Sequence, residues 1–557
     1  MDPREFFDEL KRRNVFTVAV AYVVGGWALA EGISQVFPVF DIPNSVVRLI
    51  VLFIVLGFPV ALVLSWFFDL TRYGIVRTPG RAPEAKIDIV GPSNLAEKSI
   101  AVLPFENLSE EKANAYFASG MGDEVLTKLA QLAELKVISR ASTERYQSHP
   151  DDLRGVGRQL GVATVLAGSV QKAGDEVLIS VQLIDVRNGN QLWAQGYRRT
   201  LKNTFEVEAE VAEKVAEALK VKLVRAEAQR LATPATTNPR AHDLYLRAHA
   251  LGTHSDEQSL EQTITLLRQA LIEDPHFALA WGDLAWAYLS IVDAYRAPLE
   301  ILTPAEHAAL MAVANDEHAG AGHTYFGAIA LIFNCDFPVA KRELERGVAL
   351  DPNSSDAHRW HAWYLARVER DFVAARAELE RSQTLDPFYT WPAWAASAVA
   401  IAQGDYEAAM QFAERVLTID PHFLYDEDPI AHVYVAKGRW QDGVKRYESL
   451  SASALGGPNF ELAVCYAHTG ETAQAKQILK ELEARAQHRY VDRTHIAAIH
   501  AALGDKDKAF AELDQARQDR SARISAPRFY PWLAPLFDDP RFADLLHRIG
   551  LDSQNKK

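Results

Sequence analysis

A series of phased turns constrains this chain more than any other feature. Cys335-Asp336, Arg370-Asp371, Gly404-Asp405, Gly438-Arg439, Gly470-Glu471 and Gly504-Asp505 recur every 32 to 35 residues. Five residues after each turn's first member stands a small residue: Ala340, Ala375, Ala409, Gly443, Ala475 and Ala509. The first three intervals close on Asp351-Pro352, Asp386-Pro387 and Asp420-Pro421. A turn, a small residue and a closing proline at this period describe stacked helix hairpins. Such a stack presents a binding surface rather than a catalytic cavity.

A chain of 557 residues is too long for one core, so two or three domains are expected. Hydrophobic content of 48% and charged content of 24% are ordinary for a folded protein and exclude wholesale disorder. A net charge of −14 argues against nucleic acid as a partner, because phosphate backbones need clustered Lys and Arg. The two cysteines, Cys335 and Cys465, both fall inside the repeats, so no disulfide framework is indicated.

The N-terminal stretch differs in composition. Val15 to Ala30 is apolar up to Glu31, and a second apolar run extends from Leu49 to Phe68. The second is long enough to cross a bilayer as a helix; the first reaches that length only by continuing past Glu31 to Val36. A signal peptide is the rival reading of the first run, since Lys11, Arg12 and Arg13 precede it. The uncharged second run favours a transmembrane hairpin turned by Pro38, Asp41 and Pro43. Basic residues flank both ends of the hairpin and are absent from Phe37 to Ser45, which places both termini and the soluble domains in the cytoplasm. Glu31 and Arg48 fall at the same outer end, placed to pair and lock the hairpin.

The chain therefore reads as multidomain, with a transmembrane helical hairpin over 1–72 and a linker over 73–97. A small α/β domain follows over 98–223 and a second linker over 224–239. An all-α repeat solenoid of about eight hairpins occupies 240–522, and a proline-rich C-terminal cap 523–557. Within the α/β part, strands are expected at Ser99–Leu103, Leu135–Ser139, Ala163–Gln171, Glu176–Val186 and Gln191–Arg198. Helices are expected at Tyr116–Leu132, Asp151–Leu160 and Phe205–Leu223. In the repeats, Trp281, Leu284, Ala285 and Tyr288 have the spacing of a tetratricopeptide first helix.

Lys98-Ser99-Ile100-Ala101-Val102-Leu103-Pro104-Phe105 followed by Tyr116-Phe117-Ala118-Ser119-Gly120 resembles the opening of the TolB-like (FlgO-like) N-terminal domain. Leu160-Gly161-Val162, Gly168-Ser169-Val170, Val181-Gln182-Leu183-Ile184-Asp185 and Gln191-Leu192-Trp193-Ala194 continue the resemblance over residues 98–222. The opening Phe6-Phe7-Asp8-Glu9-Leu10-Lys11-Arg12-Arg13-Asn14-Val15 is similar to bacterial membrane-anchored proteins that join such a domain to tetratricopeptide repeats. Relatives of the domain are often fused to a class III nucleotide cyclase or a winged-helix domain, and this sequence shows neither pattern.

The candidate sites are few. Gly120-Met121-Gly122-Asp123 lacks the lysine of a phosphate loop and reads as a helix-entry turn. His318, His323, His358 and His361 lack the partners of a metal site, so no metal and no cofactor are expected. Trp360, Trp363, Trp391, Trp394 and Trp440 are the candidates for anchoring a protein in a groove, against the plainer reading of packing between helices. Ala285, Ala340, Ala375, Ala409, Gly443, Ala475 and Ala509 are expected at helix-pair contacts. No catalytic constellation can be placed. The expectation is a non-enzymatic scaffold of the bacterial inner membrane that binds protein partners through its repeats and lipid through its spans, and no nucleic acid; self-association stays open. The alternative is a signalling component that senses a small ligand in the α/β domain, linked to nucleotide-cyclase or transcriptional-regulator pathways.

Overall fold

The computed structural model describes residues 68–71, 74–77 and, with short interruptions, 96–551. The expected membrane spans up to residue 67 and the Glu31–Arg48 pair lie outside the described residues. No helix among the described residues is long and apolar enough to cross a membrane. In the unit Met1–Lys86, β1 (Phe68–Thr71) and β2 (Gly74–Arg77) form an antiparallel ribbon with Phe68 opposite Arg77. The sequence assigns these residues to the end of the second apolar run and the first linker. The second unit, Ile87–Lys557, holds the α/β domain and the repeats.

The α/β domain is a mixed sheet in the order β5-β3-β6-β7-β8, with short β4 also paired to β6. Its strands are β3 (Ala96–Val102), β4 (Glu106–Asn107), β5 (Lys136–Val137), β6 (Val162–Ala173), β7 (Glu176–Asp185) and β8 (Gln191–Thr200). β3 runs parallel to β5 and β6, while β6, β7 and β8 form an antiparallel meander. Val177, Ile179, Val181 and Leu183 alternate inward along β7, the two-residue period of a strand with one covered face. That face is covered by α1 (Ala115–Ala130) and α4 (Phe205–Ala218). Short α2 (Arg140–Thr143) follows β5, and α3 (Leu153–Leu160), capped by Asp152, packs on the opposite face.

Residues 224–239 are less of a linker than their composition suggests. They hold α5 (Arg225–Ala232), whose Leu231 is fully buried, and the Lys128 ammonium of α1 donates to the Leu231 and Thr233 carbonyls. The apolar cluster that begins at Ile100 in the sheet continues through Leu246 and the repeats to Ile549. Apolar contact thus spans the joint and removes the freedom that a Pro- and Thr-rich stretch has when nothing packs on it.

The described residues hold eight helix pairs: α6/α7 (Pro239–Leu251, Glu257–Glu273), α8/α9 (Ala278–Ile291, Pro298–Asn315), α10/α11 (Gly320–Ile329, Phe337–Leu350) and α12/α13 (Ser355–Tyr364, Phe372–Leu385) come first. They continue as α14/α15 (Thr390–Gln403, Tyr406–Ile419), α16/α17 (Pro429–Ala436, Trp440–Ser449), α18/α19 (Phe460–Thr469, Thr472–Arg485) and α20/α21 (Arg493–Ala502, Lys506–Gln518). From the third pair to the eighth, the turn between partners repeats one solution. Its first residue has positive φ, from +53° at Cys335 to +89° at Gly470, and the next residue opens the second helix. Asp336, Asp371, Asp405 and Asp505 each accept a hydrogen bond from the amide three residues on, a helix N-cap. Cys335 and Arg370 hold this left-handed conformation without being glycine. Their helices end in a π turn, so that the Asp336 and Asp371 amides reach back six residues, to Ala330 and Leu365.

The small residues after the turns lie where the paired helices meet. Ala285, Ala340, Ala375, Ala409, Ala475 and Ala509 are all fully buried. At Gly443 an added Cβ would come within 2.8 Å of the Cys465 sulfur, so the next pair needs a glycine there. Ala509→Leu or Ala409→Leu is expected to destabilise the full-length chain by roughly 1–3 kcal/mol through overpacking. Gly443→Ala should also lower the unfolding midpoint, and adding Cys465→Ala should recover most of the loss. Thermal unfolding of the single and double variants checks both statements.

Candidate functional site

From the third pair to the eighth, the first helices meet the chain's own C-terminal segment. After Arg520 the chain runs through three 3₁₀ turns, Ala522–Ser525, Pro527–Phe529 and Pro531–Leu536, then α22 (Pro540–Arg548). Pro527, Pro531 and Pro535 withhold the amides that a continuous α-helix needs. Phe529 packs edge-on against Trp363, with ring centroids 6.1 Å apart, and the Arg367 guanidinium donates to Tyr530 Oη at 3.3 Å. Trp532, fully buried, sits edge-on to His432 and Phe460. Arg523 pairs with buried Asp492 at 3.0 Å, and Arg520 donates to Asn334. The segment therefore reaches first helices from α10 and its π turn to α20.

The five tryptophans are part of this packing to different degrees. Trp363 is buried beneath Phe529, while Trp360, Trp391, Trp394 and Trp440 are half-buried. Trp394 lies 5.8 Å from Trp363 and 5.7 Å from Trp391, and Trp391 meets Phe423, so these rings bridge the fourth and fifth pairs. Trp440 stacks on His468, and Arg359 lies over Trp360. The histidines do not converge. His323 and His358 each hydrogen-bond a glutamate of their partner helix, Glu343 and Glu378, and His361 also faces Glu378. The spacing repeats because the same latch is built in successive pairs. His318 stays exposed.

The α/β domain docks on the loops between pairs. The Asn353 amide donates to the Ala130 and Leu132 carbonyls, and Ser139 N donates to Leu385 O at 3.0 Å. Ser142 Oγ donates to buried Asp386, while Phe388 N donates to Ser142 Oγ. The Asp-Pro closers thus serve a second purpose as a docking surface. Gly120-Met121-Gly122-Asp123, expected at a helix entry, lies in the interior of α1. A Cβ at Gly120 would meet Leu246 of α6 at 2.6 Å, so the glycine permits close helix approach. Asp123 pairs with Arg140, which also contacts His249. Burial alone would lower the His249 pKa, but Asp123 outweighs it and raises it.

Glu124 of α1, Glu208 of α4 and His242 of α6 bring three ligand-capable atoms within 4.8 Å of one another, all buried. Sequence reasoning missed this group because its members stand on three helices and share no local motif. Burial would raise Glu124, yet His242, Glu208 and Lys128 overcome it and hold its carboxyl at about 2. Burial, then repulsion from Glu124, pushes Glu208 well above the usual range, so Glu208 keeps its proton. Glu208 Oε1 has no hydrogen-bond partner. The same contact that holds the Glu124 carboxyl low therefore holds the Glu208 carboxyl high. The His242–Glu124 contact ties α6 of the first repeat to α1 of the α/β domain.

A second polar feature opens to the surface. Lys136 and Gly161 of the α/β domain and Arg376, Leu379, Phe412 and Arg415 of the fourth and fifth pairs line a cleft of about 340 Å³. Its rim carries Glu380.

Residues 96–218 match the family model described as HilA/YgeH-like transcriptional regulator, second domain, and residues 395–423 match a tetratricopeptide repeat model. A Rhizobium meliloti (strain 1021) protein named as adenylate cyclase 3 is 37% identical over 194 residues, 35% of this chain and 33% of that protein. The chain thus spans about a third of the length of the curated relative it matches. Among solved structures, the type IV pilus biogenesis factor PilW is similar at 16% identity and a TM-score of 0.31, over 39% of this chain and 96% of that one. A thermophilic tetratricopeptide-repeat protein of Thermus thermophilus is similar at 17% identity and a TM-score of 0.29, over 35% and 98%. The repeat model and the helix-pair geometry agree on a tetratricopeptide-type array beside a small mixed sheet.

Burial raises the Asp386 carboxyl to about 6, outweighing its serine hydrogen bonds. A raised folded pKa gives stability that is complete below the ordinary value of 3.8 and is lost as pH rises through about 6. Asp386→Asn keeps the acceptor for Ser142 and removes the titration. It should gain roughly 1–3 kcal/mol relative to the parent at pH 8 and almost nothing at pH 4. Unfolding midpoints across that range check the sign.

Proposed function

We propose that the protein is a membrane-anchored adaptor that binds protein partners through its helical repeats and has no catalytic activity of its own. The observation that carries this reading is the C-terminal segment lying across the first helices of the third to eighth pairs. That face accepts an irregular, proline-rich polypeptide through aromatic pockets and charge-assisted hydrogen bonds, the means by which repeat arrays hold peptides. In this reading the half-buried Trp360, Trp391, Trp394 and Trp440 are the partner's contacts. The N-terminal runs hold the protein in a bacterial inner membrane, the TolB-like α/β domain is its rigid mount, and both soluble parts face the cytoplasm. A second reading, a signalling component that senses a small ligand, is favoured by the cleft around Lys136, Arg376 and Arg415.

Photoreactive residues placed at Trp360 and Trp394 of the full-length chain in cells should give a discrete cross-linked protein. Cross-links confined to this chain's own C-terminal segment would sink the reading of this face. Reporter fusions at Lys557 should be active only as cytoplasmic reporters; periplasmic activity overturns the topology. The purified full-length chain with ATP and magnesium or manganese should form no cyclic nucleotide above a mock purification. The cyclase name of the relative belongs to a protein of which this chain matches only a third.

A further inference from the structure

The cleft between the α/β domain and the array has a charge that the chain leaves unanswered. Lys136 Nζ donates to the Gly161 carbonyl at 2.9 Å, and among the described residues no carboxylate is in ion-pair contact with it. Arg415 likewise has no such carboxylate, and its Nε is buried without a hydrogen-bond partner. Arg376 is held to Gln403 Oε1 at 2.5 Å and stands 3.9 Å from Asp405. Burial lowers the Arg415 pKa, and burial together with Arg381 lowers Lys136 to about 8. Three cations line the cleft beside Glu380, and Asp405 reaches only Arg376, in a chain of net charge −14. Partly desolvated cations that no carboxylate neutralises, as at Lys136 and Arg415, carry a cost that a bound anion removes.

The shape narrows the ligand. A volume of about 340 Å³ is at the small-molecule end of binding sites, and Leu379, Ala393 and Phe412 provide an apolar wall beside the guanidinium groups. Guanidinium forks match the oxygens of phosphate and carboxylate. We propose that this cleft binds a small organic anion, with a phosphate or carboxylate headgroup held by Lys136, Arg376 and Arg415 and an apolar or aromatic body against Leu379, Ala393 and Phe412. Because its walls come from both the sheet domain and the fourth and fifth pairs, the ligand ties the two together. No described residue of the C-terminal segment lines the cleft, so the site holds or fails independently of the adaptor reading.

The test is calorimetric titration of the full-length chain with phenyl phosphate, phenylacetate, inorganic phosphate and benzyl alcohol. At least one of the two aromatic anions should bind, and the tighter of them names the headgroup. Inorganic phosphate should bind more weakly, and benzyl alcohol not at all. Arg415→Gln and Arg376→Gln should each weaken binding about tenfold, the worth of one charge-assisted contact. Arg541→Gln, on α22, should leave it unchanged. The two cleft variants back each other should one fail to fold. Absence of binding by both aromatic anions, or equal affinity in a folded cleft variant, overturns the site. Inorganic phosphate binding as tightly as phenyl phosphate overturns the apolar part of it.

Discussion

A helix pair cannot bury its own apolar surface, and the whole second unit is organised by that constraint. Each pair covers its neighbour, which leaves two problems: the ends of the stack and the face made by the first helices. At the start of the array, α6 is covered by α1 of the α/β domain, where Gly120 lets the two helices approach until Leu246 fills the gap. Along the first-helix face, Phe529 and Tyr530 of the C-terminal segment meet the fourth pair, and Trp532 meets the sixth and seventh. The α/β domain and the C-terminal segment are thus structural parts of the array as well as neighbours of it.

The junction shows how polar groups are handled where two layers of different kind meet. Loops that end in Asp-Pro leave carboxylates and backbone groups at the array's edge, and the α/β domain supplies Ser142, Ser139 N and the carbonyls of α1's end to satisfy them. Deeper in, Glu124, Glu208 and His242 meet one another instead of solvent. Each such contact fixes register, because a shifted domain would leave a buried carboxylate unpaired. The cleft around Arg415 differs from these clusters: there Lys136 and Arg415 have no carboxylate in ion-pair contact among the described residues, and the Arg415 Nε is buried without a hydrogen-bond partner.

Much of the array was legible from the residues. The turns are defined by local chemistry: a left-handed residue followed by an N-cap, repeated at a constant interval. Ala285, Ala340 and Ala509 could be singled out because small size at a fixed offset has one common physical cause. The tryptophans were legible as large apolar side chains but not as a set, since their partners, Phe529 and Phe423, come from other repeats or from the far end of the chain. The proline-rich tail could be read as a cap, but its path over six pairs could not. Its 3₁₀ turns carry no period that points to a face.

By itself the sequence determined the helical period, the turn geometry, the strand alternation of β7 and the order of the parts, because each depends on neighbours within a few residues. The tertiary structure decided where those parts press together. Glu124, Glu208 and His242 meet only because α1, α4 and α6 pack side by side, and Lys136 joins Arg376 and Arg415 only because β5 docks beside the fourth pair. Residues 224–239 look like a free joint by composition and are held by Leu231 in a core that runs from the sheet into the repeats. Burial and charge pairing between distant segments are properties of the folded chain, and no local pattern encodes them.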